Sequence, residues 1–439
     1  MGPGPASNLP PGHELGAPAY WRITVCMFLA GLVTFAPLYG VQPLLPILAA
    51  EFGVTPARST LAVSAATLGI GAALLVVGPL SEVIGRRVLM LGSLSAAAVT
   101  GVACGLAPSF EWLLVARAAQ GVALSGLPAV AVAYLSEELA PRAQARAAGL
   151  YIGGTALGGM SGRLLVGGLA EIADWRVGLV VLGVGSAIGA SALAVLLPAS
   201  RRFVPAPRGP RALARTTGAL LTDRAMVGLF AVAATGMGAF VAVFNAIAFR
   251  LTQPPYSLSS GTLGLVYLVY LSGSASSMLA GRAVARHGQR AVAPWGAAIM
   301  TLGALITLAQ PLPLVIVGIG TITVGFFALH AVASGWVAAR ALAGAGAPGT
   351  ASSLYLVSYY AGASGFGTLA GTAWSAFGWP AVATLCAGLS LVAFTLVLLV
   401  RRVPPIVSGG RRNPRAGERP VGSGGCRCAL DEVRPHGPR

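Results

Sequence analysis

The chain has 439 residues, of which 56% are apolar and 9% charged, with a mean hydropathy of +0.79. A soluble domain carries roughly a quarter charged residues, so the polar surface that a water-facing globule needs is missing and a soluble enzyme is excluded. The net charge of +17 would suggest nucleic acid in a soluble protein, but here the basic residues sit in loops between apolar segments and report membrane topology, with no nucleic-acid partner.

Residues 1–20 are rich in Pro and Gly and lack a basic stretch before the first apolar segment, so they read as a disordered N-terminus followed by an uncleaved helix. Apolar runs bounded by Arg, Pro and Gly then give twelve segments: 21–49, 61–80, 88–106, 112–135, 143–170 and 177–197, and, after a break, 225–249, 262–279, 292–309, 314–337, 354–377 and 382–400. Each comes close to the ~20 residues that cross a bilayer. The predicted fold is an all-α membrane protein of twelve transmembrane helices, six in 21–197 and six in 225–400. The break, 198–224, holds Arg201, Arg202, Arg208, Arg211, Arg215 and Arg224. From 401 to 439 the chain is Arg, Gly and Pro with few apolar residues, a disordered basic tail suited to lie against anionic lipid.

Cytoplasmic loops retain positive charge. Outside the tails, the loops after the even-numbered segments hold fourteen Arg: Arg86, Arg87, Arg142, Arg146, the six of the break, Arg282, Arg286, Arg290 and Arg340. The opposite loops hold three, Arg58, Arg176 and Arg250, together with Glu51, Glu111, Glu171 and Asp174. Both termini are therefore predicted to be cytoplasmic, in the plasma membrane. All 29 basic residues are Arg, which reads as coding bias and carries no function. Cys26, Cys104, Cys386, Cys426 and Cys428 have neither disulfide nor zinc spacing, so no metal is expected.

An internal repeat is visible. A shift of 203 places Gln42 on Asn245, Gly78 on Gly281, Gly85 on Gly288 and Arg87 on Arg290. A shift of 209 places Tyr151, Gly153, Gly158 and Gly162 on Tyr360, Gly362, Gly367 and Gly371. Two six-helix halves in one orientation, joined by a cytoplasmic loop, suit a transporter whose halves rock around a central site.

Between the second and third segments stands Gly78-Pro79-Leu80-Ser81-Glu82-Val83-Ile84-Gly85-Arg86-Arg87. Its glycines permit a tight turn, its arginines mark the cytoplasmic side, and Glu82 is placed to meet an Arg or the helix N-terminus near Thr350. This resembles the signature loop of the major facilitator superfamily, with Glu82 where Asp is usual and Val83 where a basic residue is common. The second copy carries Ala285 in place of the carboxylate, so an acid latch is one-sided. In the fourth segment Arg117-Ala-Ala-Gln120-Gly121 resembles the superfamily's Arg-x-x-Gln-Gly motif, which implies a part for Arg117 and Gln120 in proton coupling or substrate response. Arg117 lies about 7 Å inside the segment's outer end; a carbonyl-bonded structural Arg is the alternative.

In the fifth segment Gly154, Gly158 and Gly162 form one small face suited to close helix packing. They resemble the glycine-rich fifth helix of antiporters in this superfamily, without its Gly-Pro element. Arg163 beside them is a second buried cation. Tyr39, Gln42 and Pro43, their partners Phe244 and Asn245, Trp175-Arg176, and Tyr359-Tyr360 with the glycines that follow resemble the bacterial acriflavine-sensitivity branch, whose members are regarded as exporters. Further candidates for a cavity lining are Tyr267, Tyr270 and Ser274 in the eighth segment, His330, Ser334 and Trp336 in the tenth, and Tyr355 and Tyr359 in the eleventh.

The resemblance implies proton-gradient-driven efflux of a small molecule by a monomer without a bound cofactor. An uptake symporter or facilitator has the same sequence pattern. An embedded enzyme would need a cluster of carboxylates or histidines, and a receptor would not need the repeat. Arg117, Arg163 and His330 lie within the apolar spans, but no carboxylate does at mid-depth, so a neutral or anionic substrate is expected.

Overall fold

The computed structural model describes residues 10–203, 205, 209–404 and 406. In chain order come α1 (Pro18–Tyr39), α2 (Leu45–Glu51), α3 (Pro56–Ser59), α4 (Leu61–Ile84), α5 (Arg86–Gly105), α6 (Phe110–Leu124), α7 (Gly126–Glu138), α8 (Pro141–Ile172) and α9 (Trp175–Leu196). After α10 (Pro210–Thr222) follow α11 (Arg224–Thr252), α12 (Ser260–Val266), α13 (Tyr270–His287), α14 (Gln289–Ile306), α15 (Leu312–Ala343) and α16 (Pro348–Val400). Short 3₁₀ turns, Gln42–Leu44 and Tyr267–Val269, precede α2 and α13. Among the described residues the extended structure is one isolated bridge, His13 with Leu139. The expected all-helical membrane class is the observed one.

Nine helical stretches among the described residues are long and apolar enough to cross a membrane. One of them, the 53-residue α16, is two helices joined at Gly378, whose φ of 66° and ψ of −155° favour glycine. The helices α8 and α14, more dilute in apolar residues, are not among the nine. Large apolar side chains such as Leu68, Val76, Val99, Ile172 and Val195 point outward, the surface that lipid rather than water would cover.

The prolines explain where predicted segments break. Pro37 has no N–H for the carbonyl of Val33 four residues back, and α1 stops two residues later at Tyr39; Ser186 Oγ donates to that carbonyl at 3.3 Å instead. Pro128 likewise gives no N–H to Leu124, the last residue of α6, and the fourth segment divides at Ser125 into α6 and α7. In the 198–224 break α10 is a mostly exposed helix that lies beside α11 and α16 and buries Leu220; ahead of it, the backbone N–H groups of Arg201 and Arg202 donate to Glu138 Oε1 at 2.9 and 3.2 Å. Arg208 and the 407–439 tail, with Cys426 and Cys428, lie outside the described residues. Of the N-terminal segment, His13 pairs its backbone with Glu138 and Ala140.

Helix pairings in 18–196 recur in 224–400. As α1 packs on α8, so α11 packs on α16; as α5 packs on α9 and α6, so α14 packs on α16 and α15; as α4 packs on α6, so α13 packs on α15. The turns match too: Gly85 and Gly288 have φ of 93° and 79°, with ψ of 148° and 160°, a conformation that L side chains rarely adopt. Two seams join the groups, α4 against α16 and α8 against α12. Where α8 crosses α1, a Cβ on Gly154, Gly158 or Gly162 would overlap the carbonyls of Phe28, Leu32 and Ala36. The predicted packing face is thus in backbone contact, and it brings Arg163, the next residue of α8, up to the break after α1.

Candidate functional site

Arg163 stands where the two helix groups meet. Its Nε donates to Gln42 Oε1 at 2.7 Å, its Nη2 to the Tyr270 hydroxyl at 2.7 Å and its Nη1 to the Gly159 carbonyl at 2.5 Å. Gln42 in turn donates from Nε2 to Asn245 Oδ1 at 2.7 Å, and Asn245 Nδ2 donates to the Gly367 carbonyl at 3.3 Å. The two amides that the 203-residue shift aligned are therefore bonded to each other. Around the guanidinium stand four aromatic rings: Tyr270, Tyr39, Tyr267 and Phe244, with centroids 4.5, 5.0, 5.2 and 5.7 Å from Cζ. Cation–π attraction stabilises a charge so placed. Arg163 is 1% exposed and takes part in none of the ion pairs among the described residues.

Arg117 is equally buried, but its surroundings differ. Helix α1 ends at Tyr39, so its last carbonyls lack partners along the helix. Arg117 supplies them, donating from Nη1 to Pro37 at 2.8 Å and from Nη2 to Leu38 at 2.6 Å, while Nε reaches the Ala62 carbonyl on α4 at 2.8 Å. Nη1 also donates to Gln120 Oε1. A cation at the negative end of a broken helix is favourably placed, so the Arg117–Gln120 motif clamps α6 to α1 and α4.

Other predicted residues fall into separate places. His330 lies beside Tyr355, whose hydroxyl is 3.0 Å from Nδ1, and its ring is 5.0 Å from that of Tyr359 and stacked on Phe326. Ser334 and Trp336 do not join this group: Ser334 bonds within its own helix. Glu82 is half-buried and has no hydrogen-bond or ion-pair partner among the described residues; across the seam, Gly78 faces Ser353 Oγ. Arg86 pairs with Glu137 at 3.1 Å and bonds Ser81; Arg87 donates to the carbonyls of Leu197 and Ala194 at 3.1 and 2.8 Å, holding α5 to the end of α9.

The seams themselves contain residues that sequence reasoning missed. Ser64 Oγ lies 2.8 Å from Thr368 Oγ1 and donates to the Ser364 carbonyl at 3.0 Å, and Thr67 Oγ1 lies 2.7 Å from Ser364 Oγ. Glu171 accepts from Ser259 Oγ and the Gly261 N–H at 2.8 and 2.6 Å. Ser64 and Thr67 share a face of α4, as Ser364 and Thr368 do of α16, and that small polar spacing was the available signal. All described hydrogen bonds between 18–196 and 224–400 lie near the level of Arg163 or toward the Arg-poor end. At the opposite ends of α8 and α13, Arg142, Arg146, Arg282 and Arg286 are exposed.

The model of the Major Facilitator Superfamily matches residues 27–274. The chain is 42% identical over 381 residues to an uncharacterized MFS-type transporter, YybF, of Bacillus subtilis (strain 168), covering 87% of this chain and 94% of that protein. It is 41% identical over 378 residues to the inner membrane transport protein YnfM of Escherichia coli (strain K12), covering 86% and 90%. Among solved structures, an inward-facing bacterial homolog of the human lysosomal transporter Spinster superposes with a TM-score of 0.67 at 16% identity, covering 88% of this chain and 95% of that one. The human organic anion transporter MFSD10 superposes with a TM-score of 0.67 at 18% identity, covering 87% and 100%. With a family model over more than half of its length and relatives named as transporters along nearly all of theirs, this chain belongs to the Major Facilitator Superfamily and is a multi-pass membrane transporter rather than an enzyme.

Proposed function

We propose that the protein exports a small molecule from the cytoplasm by alternating access, driven by the proton gradient, and works as a monomer in the cell membrane with both termini cytoplasmic. In this reading 21–197 and 225–400 are two six-helix halves, 198–224 is their cytoplasmic linker, and the chain crosses twelve times. The nine apolar stretches reach twelve when α16 counts as two crossings, divided at Gly378, and the glycine-rich α8 and short α14 are included. The fourteen-to-three distribution of Arg between the two sets of loops supports the orientation. Resemblance to the acriflavine-sensitivity branch supports export.

The observation that carries alternating access is the one-sided seal: hydrogen bonds join the halves from Arg163 toward the Arg-poor end, and the described residues supply none across the other end. The structure then represents the inward-facing state. Glu82, without a partner among the described residues, is assigned to the opposite state, in which tighter closure of the Arg-rich end, where Gly78 already faces Ser353, would bring its carboxylate to the first turn of α16.

The test is transport. Dyes, sugars and amphiphilic drugs are screened by thermal shift on the purified protein, and each binder is loaded into proteoliposomes with an imposed pH gradient. Export predicts that substrate moves against the proton flow and that a protonophore abolishes accumulation. Movement in the same direction as protons, or movement indifferent to the gradient, would contradict it in favour of symport or facilitation.

A further inference from the structure

We propose that Arg163, with Tyr39 and Tyr267, is the subsite for the carboxylate of a small organic monoanion whose body is apolar or aromatic. The inference rests on the transport reading above and names its substrate class. A guanidinium has five N–H groups, and three hydrogen bonds from Arg163 are described. Among the described residues one N–H on each terminal nitrogen is left without an acceptor, and these two edges suit a carboxylate held by parallel bonds.

Two further groups at the same place lack partners. Among the described residues the buried hydroxyls of Tyr39 and Tyr267 find no hydrogen-bond partner, although the two residues are only 5% and 0% exposed and their rings flank the guanidinium. Buried hydroxyls are normally satisfied, and unsatisfied ones need an explanation. An anion beside Arg163 would accept from both hydroxyls and both free N–H groups.

Charge points the same way. Among the described residues no carboxylate reaches this cation: Glu51 is paired with Arg176 at 2.6 Å, and Glu171 is held by Ser259 and Gly261. The other buried guanidinium groups among the described residues are committed elsewhere, Arg117 to the carbonyls of Pro37, Leu38 and Ala62 and Arg250 to those of Thr307 and Ala309. One unpaired positive charge is neutralised by one negative charge, and a dianion would bring an excess charge into a site of low polarity. The surrounding rings of Tyr39, Phe244, Tyr267 and Tyr270 offer apolar faces to the rest of the molecule.

The experiment is calorimetric titration of the purified full chain in detergent at pH 7 with benzoate, phenylacetate and 2-naphthoate, each compared with its amide and its amine analogue. The carboxylates are expected to bind and the amines not. Arg163→Gln should weaken carboxylate binding by about ten- to a hundredfold, the effect of losing charge-assisted hydrogen bonds. Tyr267→Phe, which removes a hydroxyl that has no partner, should unfold at the wild-type temperature yet bind about two- to tenfold more weakly. If Arg163→Gln does not fold, Tyr267→Phe decides. Failure of all three carboxylates to bind, equal binding of the amines, or unchanged affinity in the folded variants would overturn the subsite. Proton-driven transport of some other molecule without carboxylate binding would overturn it and leave the transport reading standing. Carboxylate binding by a protein that moves no substrate in proteoliposomes would do the reverse.

Discussion

Arg117 and Arg163 show how two side chains of one type, at similar depth, are put to different uses by their acceptors. The carbonyls that Arg117 bonds are those left open where α1 ends after Pro37, so its charge completes the backbone of the helix bundle. Arg117→Met should lower the thermal midpoint of the solubilised protein by several degrees, because each carbonyl left without a partner costs about 1–3 kcal/mol. Transport per folded molecule should be retained. Unchanged stability with lost transport would place Arg117 in the coupling machinery instead. Both arginines could be picked from the sequence as buried cations. Their separation could not, since the partners of Arg117 are carbonyls 79 and 80 residues away and those of Arg163 include Gln42 and Tyr270 on other helices. The bond between Gln42 and Asn245 was closer to legible, because the repeat aligned them, but alignment alone does not say that two equivalent amides touch.

Among the elements, α8 owes its position to what its glycines lack. A Cβ on Gly158 would overlap the Leu32 carbonyl, whereas one on Gly153 meets nothing within 4 Å. Gly158→Ala should therefore lower the thermal midpoint and the yield of folded protein, and Gly153→Ala should leave both unchanged. Equal effects would mean that glycine acts through chain flexibility rather than by close approach. The face itself was visible as a four-residue spacing, whereas its partner was not. Helix boundaries were less legible: one apolar run became α1, a 3₁₀ turn and α2 because Pro37 and Pro43 interrupt the backbone ladder, and the 198–224 stretch, read as loop, contains α10.

The start of α11 carries a pH-dependent contact. Asp223 caps the helix, accepting from the N–H groups of Ala225 and Met226 at 2.9 and 3.4 Å, and is bidentate with Arg340 at 2.8 and 3.0 Å. Burial alone would raise its carboxyl, but the hydrogen bonds and charge of Arg340 and the two N–H groups outweigh it and hold the carboxyl below the usual range. A lowered native pKa means that the contribution is complete above the unfolded value, about 3.9, and is lost as pH falls through the native one. Asp223→Asn should lower the thermal midpoint at pH 7, and the gap from wild type should narrow only below about pH 4. A gap that closes between pH 7 and pH 5 would contradict this assignment.

For the molecule as a whole, the recurring helix pairs and the paired turns at Gly85 and Gly288 make two similar groups, and among the described residues their hydrogen-bonded contact is one-sided. The sequence made the repeat, the loop motif and the asymmetry of arginines legible, because these are local or periodic. It left the seam hidden, because Ser64, Ser364 and Thr368 are ordinary small polar residues until two helices 300 positions apart are brought together. On the proposed alternating-access reading, this seam must open for transport. The most direct measurement uses a cysteine-free background carrying Ser64→Cys with Thr368→Cys, whose native side-chain oxygens lie 2.8 Å apart. Once a substrate is in hand, transport is measured in proteoliposomes after oxidation and again after reduction. The cross-linked protein is expected to be inactive, and reduction is expected to restore transport. A fully cross-linked protein that transports at the uncross-linked rate would contradict alternating access through this seam.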